Sequence, residues 1–439
     1  MIIEKPGYSY RDLTVVPVTI SEISSRSECN PYIDDNKTLP IFTAPMASVV
    51  SEDNMDVFRS SGVIPIMPRN IPLDVRLNNI SSGHWIALSL SEFRHSFVNN
   101  ATESMRDLSF KICIDIANGH MISLYEACCD AKINSLKFGY NLTLMTGNIG
   151  NPETYRWICE HNCVDYEKKV MAVDYIRCGI GNGSGCTTTS NCSCHYPIAS
   201  LIDACYSIKQ AYSIVPVNYR PAMCPKIIAD GGIRNYDHVI KALALGADYV
   251  MIGSLLAQCI ESAGFKSSRQ DARKVRLRFP IERYSDLSCD YNGCWTGNLT
   301  DEYIEDSLKA WKQRVEISKQ NVEANDSDCN ITEYNDALSS LWERKEELKK
   351  EHNIGRIEVK FFGMASADGQ KSMTGEKTKT AEGITKWLPV KYTLAGWVDN
   401  MVSFLRSAMS YCGCKTLEEF IGGPDLIVNS PAEIEAVNK

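Results

Sequence analysis

One cysteine stands at the far end of a glycine-rich turn. Gly179-Ile180-Gly181-Asn182-Gly183-Ser184-Gly185-Cys186-Thr187-Thr188 follows the strand-like run Asp174-Tyr175-Ile176-Arg177-Cys178. Glycines let the backbone approach a ligand closely and take positive φ without steric cost. A thiol delivered by such a turn can attack an electrophilic carbon, because a thiolate is both a good nucleophile and a good leaving group. Two further loops carry glycines behind apolar runs, Asp230-Gly231-Gly232 and Gly253-Ser254. Their amides, with a following helix N-terminus and Ser184 of the cysteine turn, are suited to an anion such as a phosphate. Cys192-Ser193-Cys194-His195 looks like a metal motif, but no second ligand pair follows at a suitable spacing. It reads better as a mobile loop beside the reactive cysteine.

The elements that must position these residues recur regularly. Apolar strand candidates are Leu39–Thr43, Val63–Met67, Trp85–Leu90, Lys111–Ile116, Leu142–Thr146, Tyr175–Gly179, Lys226–Ala229 and Tyr249–Ile252. Amphipathic stretches separate them, among them Asn54–Ser61, Ser123–Ala131, Glu153–Glu160, Ile198–Ala211 and Tyr236–Leu245; a last one, Trp397–Tyr411, comes after the eighth strand. Eight continuous apolar strands alternating with helices predict an α/β fold, a parallel (β/α)8 TIM barrel. In such barrels the chemistry sits on the loops that follow the strands, which is where these motifs fall.

The chain has 439 residues and a net charge of −8, with no basic tract, which argues against a general nucleic-acid binder. No window reaches the apolar length of a membrane span, and Glu4 interrupts the N-terminal apolar run. Several of the 18 cysteines, including Cys113, Cys128, Cys129, Cys178 and Cys205, lie inside apolar patterns. Reduced thiols and a cytoplasmic location fit that placement.

Between Phe265 and Arg356 the barrel pattern is interrupted by a charged stretch with two seven-residue seams. Ile304, Leu308, Trp311, Val315 and Val322 form the first; Tyr334, Leu338, Leu341 and Leu348 form the second, with the polar turn 325–328 between. The seams predict an antiparallel helical hairpin inserted after strand eight, either a solvated arm or an element that caps the site or mediates assembly. The expected organisation is therefore a barrel over 1–265, an insertion over 266–355, and a flap, final helix and tail over 356–439.

The cysteine turn resembles that of the IMP dehydrogenase and GMP reductase superfamily, commonly Gly-x-Gly-Pro-Gly-Ser-x-Cys-x-Thr, and the similarity recurs in segments to about residue 420. By that resemblance Cys186 attacks purine C2, and Thr188 and Glu382 of Ala381-Glu382-Gly383 handle protons for the departing group. Ser184, Gly231, Gly232, Gly253 and Ser254 would hold the phosphate of a purine mononucleotide, Asp230 its ribose, and Met46, Gly363, Met364, Ala365 and Lys379 its base. Asp115-Ile116-Ala117-Asn118-Gly119 is nearly the reductase wording, which places Asp115, Ala117, Asn118, Asn148 and Gly181 at a nicotinamide cofactor. Carbonyls matching Gly181, Gly183 and Cys186 face a potassium ion in relatives, and relatives are tetramers. A homotetramer or a multiple of it is therefore expected.

The dehydrogenase regulatory module has no room between strands two and four, and no Arg-Tyr pair stands between Met364 and Pro389. Both features point to NADPH-dependent reduction of GMP. The run Ile228-Ala229-Asp230-Gly231-Gly232-Ile233-Arg234 is closer to dehydrogenase wording, which keeps NAD-dependent oxidation of IMP or a modified purine nucleotide open. A non-catalytic nucleotide-binding barrel is a third reading. The chain departs from the family at Ala47 and Ser48 (for Asp-Thr), Ala365 (for Ser), Lys379 (for Arg), Asn182 (for Pro) and Arg69 (for Lys). These changes touch base and cofactor positions and leave the cysteine, phosphate and ribose residues intact.

Overall fold

The computed structural model describes residues 7–79, 83–213, 223–270, 273–276, 287–289, 294–297, 301–324, 332–341, 343, 353–376 and 380–437. Compactness divides the chain into two units: Met1–Gly264 with Lys360–Leu388 and Thr393–Lys439, and Phe265–Val359 with Pro389–Tyr392.

The first unit is built on eight parallel strands: β1 (Ile41–Thr43), β2 (Ile66–Met67), β3 (Trp85–Leu88), β4 (Ser109–Ile114), β5 (Asn141–Ile149), β6 (Tyr175–Cys178), β7 (Lys226–Asp230) and β8 (Tyr249–Ile252). They pair in the order β1-β8-β7-β6-β5-β4-β3-β2. Ile64, just ahead of β2, exchanges two backbone hydrogen bonds of 2.9 Å with Thr43 and Ile41 of β1, which closes the ring. The predicted (β/α)8 barrel is thus the observed fold. β1, β3 and β8 are buried along their whole length, as strands covered on both faces require.

Helices follow each strand: α1 (Met55–Ser60), α2 (Leu73–Asn79), α3 (Leu90–Phe93, continuing as a wider π turn to Asn99), α4 (Ile122–Phe138), α5 (Pro152–His161), α6 (Ile198–Ser213), α7 (Tyr236–Ala244) and α8 (Leu394–Tyr411). Their starts are locally encoded. Ser89 accepts from Glu92 N, while Glu92 accepts from Ser89 N, a reciprocal cap that ends β3 two residues earlier than the apolar run predicts. Asn151 caps α5 ahead of Pro152, and Thr393 caps α8.

Inside the ring, Phe42, Trp85, Tyr175 and Tyr249 pack with ring centroids 5.1 to 6.1 Å apart. Trp85, Tyr175 and Tyr249 open their strands, so this cluster plugs the N-terminal end of the barrel and leaves chemistry to the opposite face.

The second unit departs from a purely helical expectation. It contains a helix (Asp301–Ala324) and helical residues 332–341, but also β9 (Lys266–Gln270), β10 (Arg273–Arg276), β11 (Leu287–Cys289), β12 (Cys294–Gly297) and most of β13 (Asn353–Phe362), whose last three residues belong to the first unit. These pair antiparallel as β10-β9-β13-β12-β11. Runs such as Lys-Ser-Ser-Arg-Gln carry no apolar alternation, so backbone pairing, not hydrophobic period, defines them. Trp295 is fully buried and donates its indole N–H to Val390 O at 3.0 Å. The turn 325–328, Leu348 and Lys379 lie outside the described residues. No helix among the described residues is long and apolar enough to cross a membrane.

Candidate active site

Every chemistry-bearing segment sits at the C-terminal end of a strand. Met46 follows β1, Arg69 β2, Asp115 β4, the cysteine turn β6 and Gly253 β8; Asn148 lies late in β5, and Asp230 ends β7.

Backbone crowding explains one glycine in each of the β6 and β7 loops. Gly179 has φ +132°, and a Cβ there would collide with the carbonyl oxygen of Asp230. Gly231 has φ +87°, and a Cβ on it would stand 2.9 Å from Gly183 N. The β6 and β7 loops are therefore in backbone contact, which only glycine permits.

Cys186 is exposed, and its thiol donates to Thr188 Oγ1 at 3.2 Å. Its backbone forms an antiparallel bridge with Gly383. Around that bridge Thr187 N donates to Glu382 O (3.2 Å), Ile384 N to Gly185 O (3.0 Å) and Glu382 N to Ala365 O (3.1 Å). The segment from Gly363 to Pro389, the flap, is thus latched to the cysteine turn by main-chain bonds. Cys186, Thr188 and exposed Glu382 stand together although almost 200 residues separate them in sequence. Gly363 packs against Gly185, where an added Cβ would lie 3.3 Å from its oxygen. The flap helix, Ala367–Thr374, is capped by Ser366 and anchored by Asp368, which accepts from Lys360 Nζ (2.8 Å) and Thr385 Oγ1 (2.5 Å). Those hydrogen bonds hold the Asp368 carboxyl below its ordinary pKa. Arg69 reaches Met373 Sδ at 3.6 Å and Asp115 O at 2.8 Å, tying the flap helix to the barrel rim.

Beneath this latch lies a buried charge network. Arg177, 3% exposed, donates to Asp115 Oδ1 at 3.1 Å and lies 3.9 Å from Asp230 Oδ2; each carboxylate is 19% exposed. Burial works against the guanidinium charge, but the surroundings outweigh it and raise its pKa. Cys113 is nearby too, but burial pushes its thiol up to about 12, so the two carboxylates supply the attraction. Asp230 is raised by burial, which Arg177 and Asn148 oppose and Asp115 reinforces. Asn148, expected beside a nicotinamide ring, gives both amide hydrogens inward, to Gly179 O (2.8 Å) and Asp230 Oδ2 (2.6 Å). It therefore orients Asp230 and offers a cofactor only its carbonyl. Ala117 and Asn118 are exposed at the rim, and Asn118 Oδ1 accepts from His120 N at 3.0 Å.

Met46 Sδ is the nearest atom to a Cβ added at Gly253 (3.1 Å), which joins the β1 and β8 loops; Phe361 bridges from there to Gly185. Met364 is half-buried, and Ala365 is exposed with its carbonyl engaged by the flap. Ser184 Oγ, Thr187 Oγ1, Thr146 Oγ1 and Arg177 Nε are buried without a hydrogen-bond partner. Such atoms cost about 1–3 kcal/mol each unless satisfied, and phosphate and hydroxyl oxygens are suited to satisfy them. A bound nucleotide and a nicotinamide ribose fit this chemistry. The carbonyls of Gly181 and Gly183 already accept from Thr189 Oγ1 (3.1 Å) and Cys186 N (3.0 Å), which leaves each one lone pair for a cation. No group of three His, Cys, Asp or Glu that could hold a metal occurs among the described residues.

Two functional features escaped sequence reasoning. Arg177 sits in a strand with Ile176 and Cys178 as neighbours, and an arginine inside a buried strand is the signal that marks it. The Lys360–Asp368–Thr385 anchor has no sequence signal, since its members meet only when the flap folds back.

Residues 7–278 match the model of the IMP dehydrogenase / GMP reductase domain. Among relatives, the GMP reductase of Streptococcus suis (strain 05ZYH33) is 29% identical over 288 residues, covering 63% of this chain and 77% of the relative. That of Streptococcus pneumoniae (strain JJA) is 28% identical, with 60% and 74% covered. The GMP reductase of Streptococcus agalactiae serotype Ia is also 28% identical, with 59% and 72% covered. With its barrel closed, its cysteine turn after β6 and more than half its length matched, the chain belongs to the IMP dehydrogenase / GMP reductase domain family.

Proposed function

We propose that this chain is a purine-nucleotide oxidoreductase that reductively deaminates GMP, or a related guanine nucleotide, with NADPH. The balance is GMP + NADPH + 2 H⁺ → IMP + NADP⁺ + NH₄⁺. The observation that carries the reading is the latch that sets Glu382 and Gly383 against Cys186 and Thr187. It puts a carboxylate-bearing residue beside the thiol–hydroxyl pair without an Arg-Tyr pair in the flap.

In this mechanism Cys186 Sγ bonds to purine C2, and its proton passes through Thr188 Oγ1, which accepts the thiol hydrogen bond, to the Glu382 carboxylate. Glu382 and Thr188 relay protons to the departing amino group, so that the C2–N bond breaks with ammonia as leaving group. When bound, NADPH supplies the hydride that C2 needs. Breaking the C2–S bond returns Cys186 as the thiolate. Asp230 accepts from the nucleotide ribose, and Asn148 and Arg177 hold it in place. Ser184 and the Gly231, Gly232 and Gly253 amides receive the phosphate. Asp115, with Ala117 and Asn118 beside it, would hold the nicotinamide ribose, and the spare lone pairs of Gly181, Gly183 and Cys186 would face potassium. The working form in this reading is a homotetramer or a multiple of it.

A second reading, oxidation of IMP with NAD as acceptor, draws on the run Ile228–Arg234. A matrix of purine nucleotides against NADPH and NAD⁺ separates the two. NADPH oxidation with GMP or dGMP is expected. Folded protein that binds these nucleotides but oxidises no NADPH overturns the proposal, and NAD⁺ reduction with IMP installs the second reading.

A further inference from the structure

We propose that Cys159 and Cys224 form a reversible disulfide, a modification site separate from the active cysteine. Cys159 lies in the last turn of α5 and is buried; Cys224, two residues ahead of β7, is half-buried. Three hydrogen bonds pin residues 223–225 against the end of α5. Met223 N donates to Cys159 O (3.2 Å), Asn162 Nδ2 to Met223 O (2.7 Å), and Tyr155 OH to Pro225 O (2.8 Å). This clamp sets Cys224 beside Cys159, near enough for each sulfur to shift the other's ionisation.

The pair is chemically asymmetric. The neighbouring Cys159 and the charge of Lys209 favour the Cys224 thiolate against its partial burial, whereas Cys159 is held as the thiol. Lys209 is itself paired with Asp248, at 2.7 and 2.8 Å, so its help is moderated. Tyr155 and buried Cys205 complete the surroundings. Cys224 is thus the accessible attacking sulfur and Cys159 the resolving one behind it.

With a low-molecular-weight disulfide as oxidant, the Cys224 thiolate attacks one sulfur and expels a thiolate. The resulting mixed disulfide is then attacked at Cys224 Sγ by Cys159, which yields its proton to the second departing thiolate. Two protein thiols lose two electrons, and the oxidant is reduced to two thiols. The bond closes a loop that contains β6, the cysteine turn and α6, and ties α5 to the lead-in of the strand that carries Asp230. Closing so long a loop restricts the unfolded chain.

The test treats the full chain with oxidised glutathione, quenches in acid, alkylates free thiols and maps peptides by mass. A Cys159–Cys224 cross-linked peptide, about 2 Da below the sum of the reduced pair, is expected at low oxidant. A melting temperature raised by roughly 5–10 °C is expected with it, reversed by dithiothreitol and absent in Cys224→Ser. Recovery of Cys159 alkylated, with Cys224 either alkylated or held as a lasting glutathione adduct, overturns the proposal. Mapping the wild-type chain decides the matter even if a variant folds poorly, and glutathione on exposed Cys186 appears as a separate peptide.

Discussion

The rim of β4 to β7 and the cysteine turn lie within one barrel mouth, yet they are built by opposite means. At the rim, Asp115, Arg177, Asp230 and Asn148 are largely buried and hold one another through side-chain bonds of 2.6 to 3.1 Å. At the turn, Cys186 and Glu382 are exposed, and main-chain bonds to the flap do most of the positioning, with one thiol hydrogen bond from Cys186 to Thr188. Groups that bind gain from being fixed before the ligand arrives. In the proposed mechanism the sulfur forms and releases a covalent bond, which needs access and a little travel that a loop latched through its backbone allows.

Substitutions can break this contrast at either end. The largest effect is expected from Cys186→Ala, which should lower kcat by about 10³-fold or more while nucleotide affinity stays within roughly tenfold. Steady-state kinetics and calorimetry on the same preparation measure both. Arg177→Leu attacks the other region. It takes the guanidinium away from Asp230, while Asp115 keeps Arg69 at 3.8 Å, and should cost about 3–5 kcal/mol of stability by denaturant unfolding. A loss below 1 kcal/mol would show that the network is not what organises the rim.

Glu382→Gln should reduce kcat roughly 10- to 100-fold and leave KM nearly unchanged, because the proposed mechanism puts proton relay and binding on different regions. Gly383→Val tests the latch itself. Its Cβ would approach Gly185 O to 2.7 Å, so the bridge to Cys186 should open. About a tenfold loss of kcat with a nearly unchanged melting temperature is expected, since the strand pairing that closes the barrel includes no flap residue.

The gentlest probe is pH. Asp230 has a raised pKa, so the folded chain holds its proton longer than the unfolded chain does. The stability this lends is full at low pH and declines as pH rises from the ordinary carboxylate value, about 3.9, to the raised one. Asp230→Asn abolishes that decline. Relative to wild type, the variant should therefore gain stability as pH is raised from about 3, and parallel stability curves would contradict the burial argument.

The barrel was legible because its strands are predominantly apolar runs, and most strand partners lie one helix away in sequence. The limits of those strands were less so. Ser89 and Glu92 end β3 by capping the next helix, and β5 extends from Asn141 to Ile149, beyond its apolar run. In the insertion, β9 and β10 are polar and charged, so they offered no period to read, while the helix Asp301–Ala324 coincides with a seven-residue seam. Asn148 was singled out as a site residue, but its direction, toward Asp230 and not outward, depends on which carbonyls surround it.

The amino-acid order alone determined the eight-fold alternation, the placement of Cys186 on a flexible turn after a buried strand, and the family to which those motifs belong. These are local properties, carried by hydrophobic period and by glycines at fixed offsets. Tertiary structure decided that Arg177 joins Asp115 to Asp230, that Gly383 closes on Cys186, and that Cys159 meets Cys224. Each of those pairs is far apart along the chain, and no local pattern encodes a distance that only packing creates.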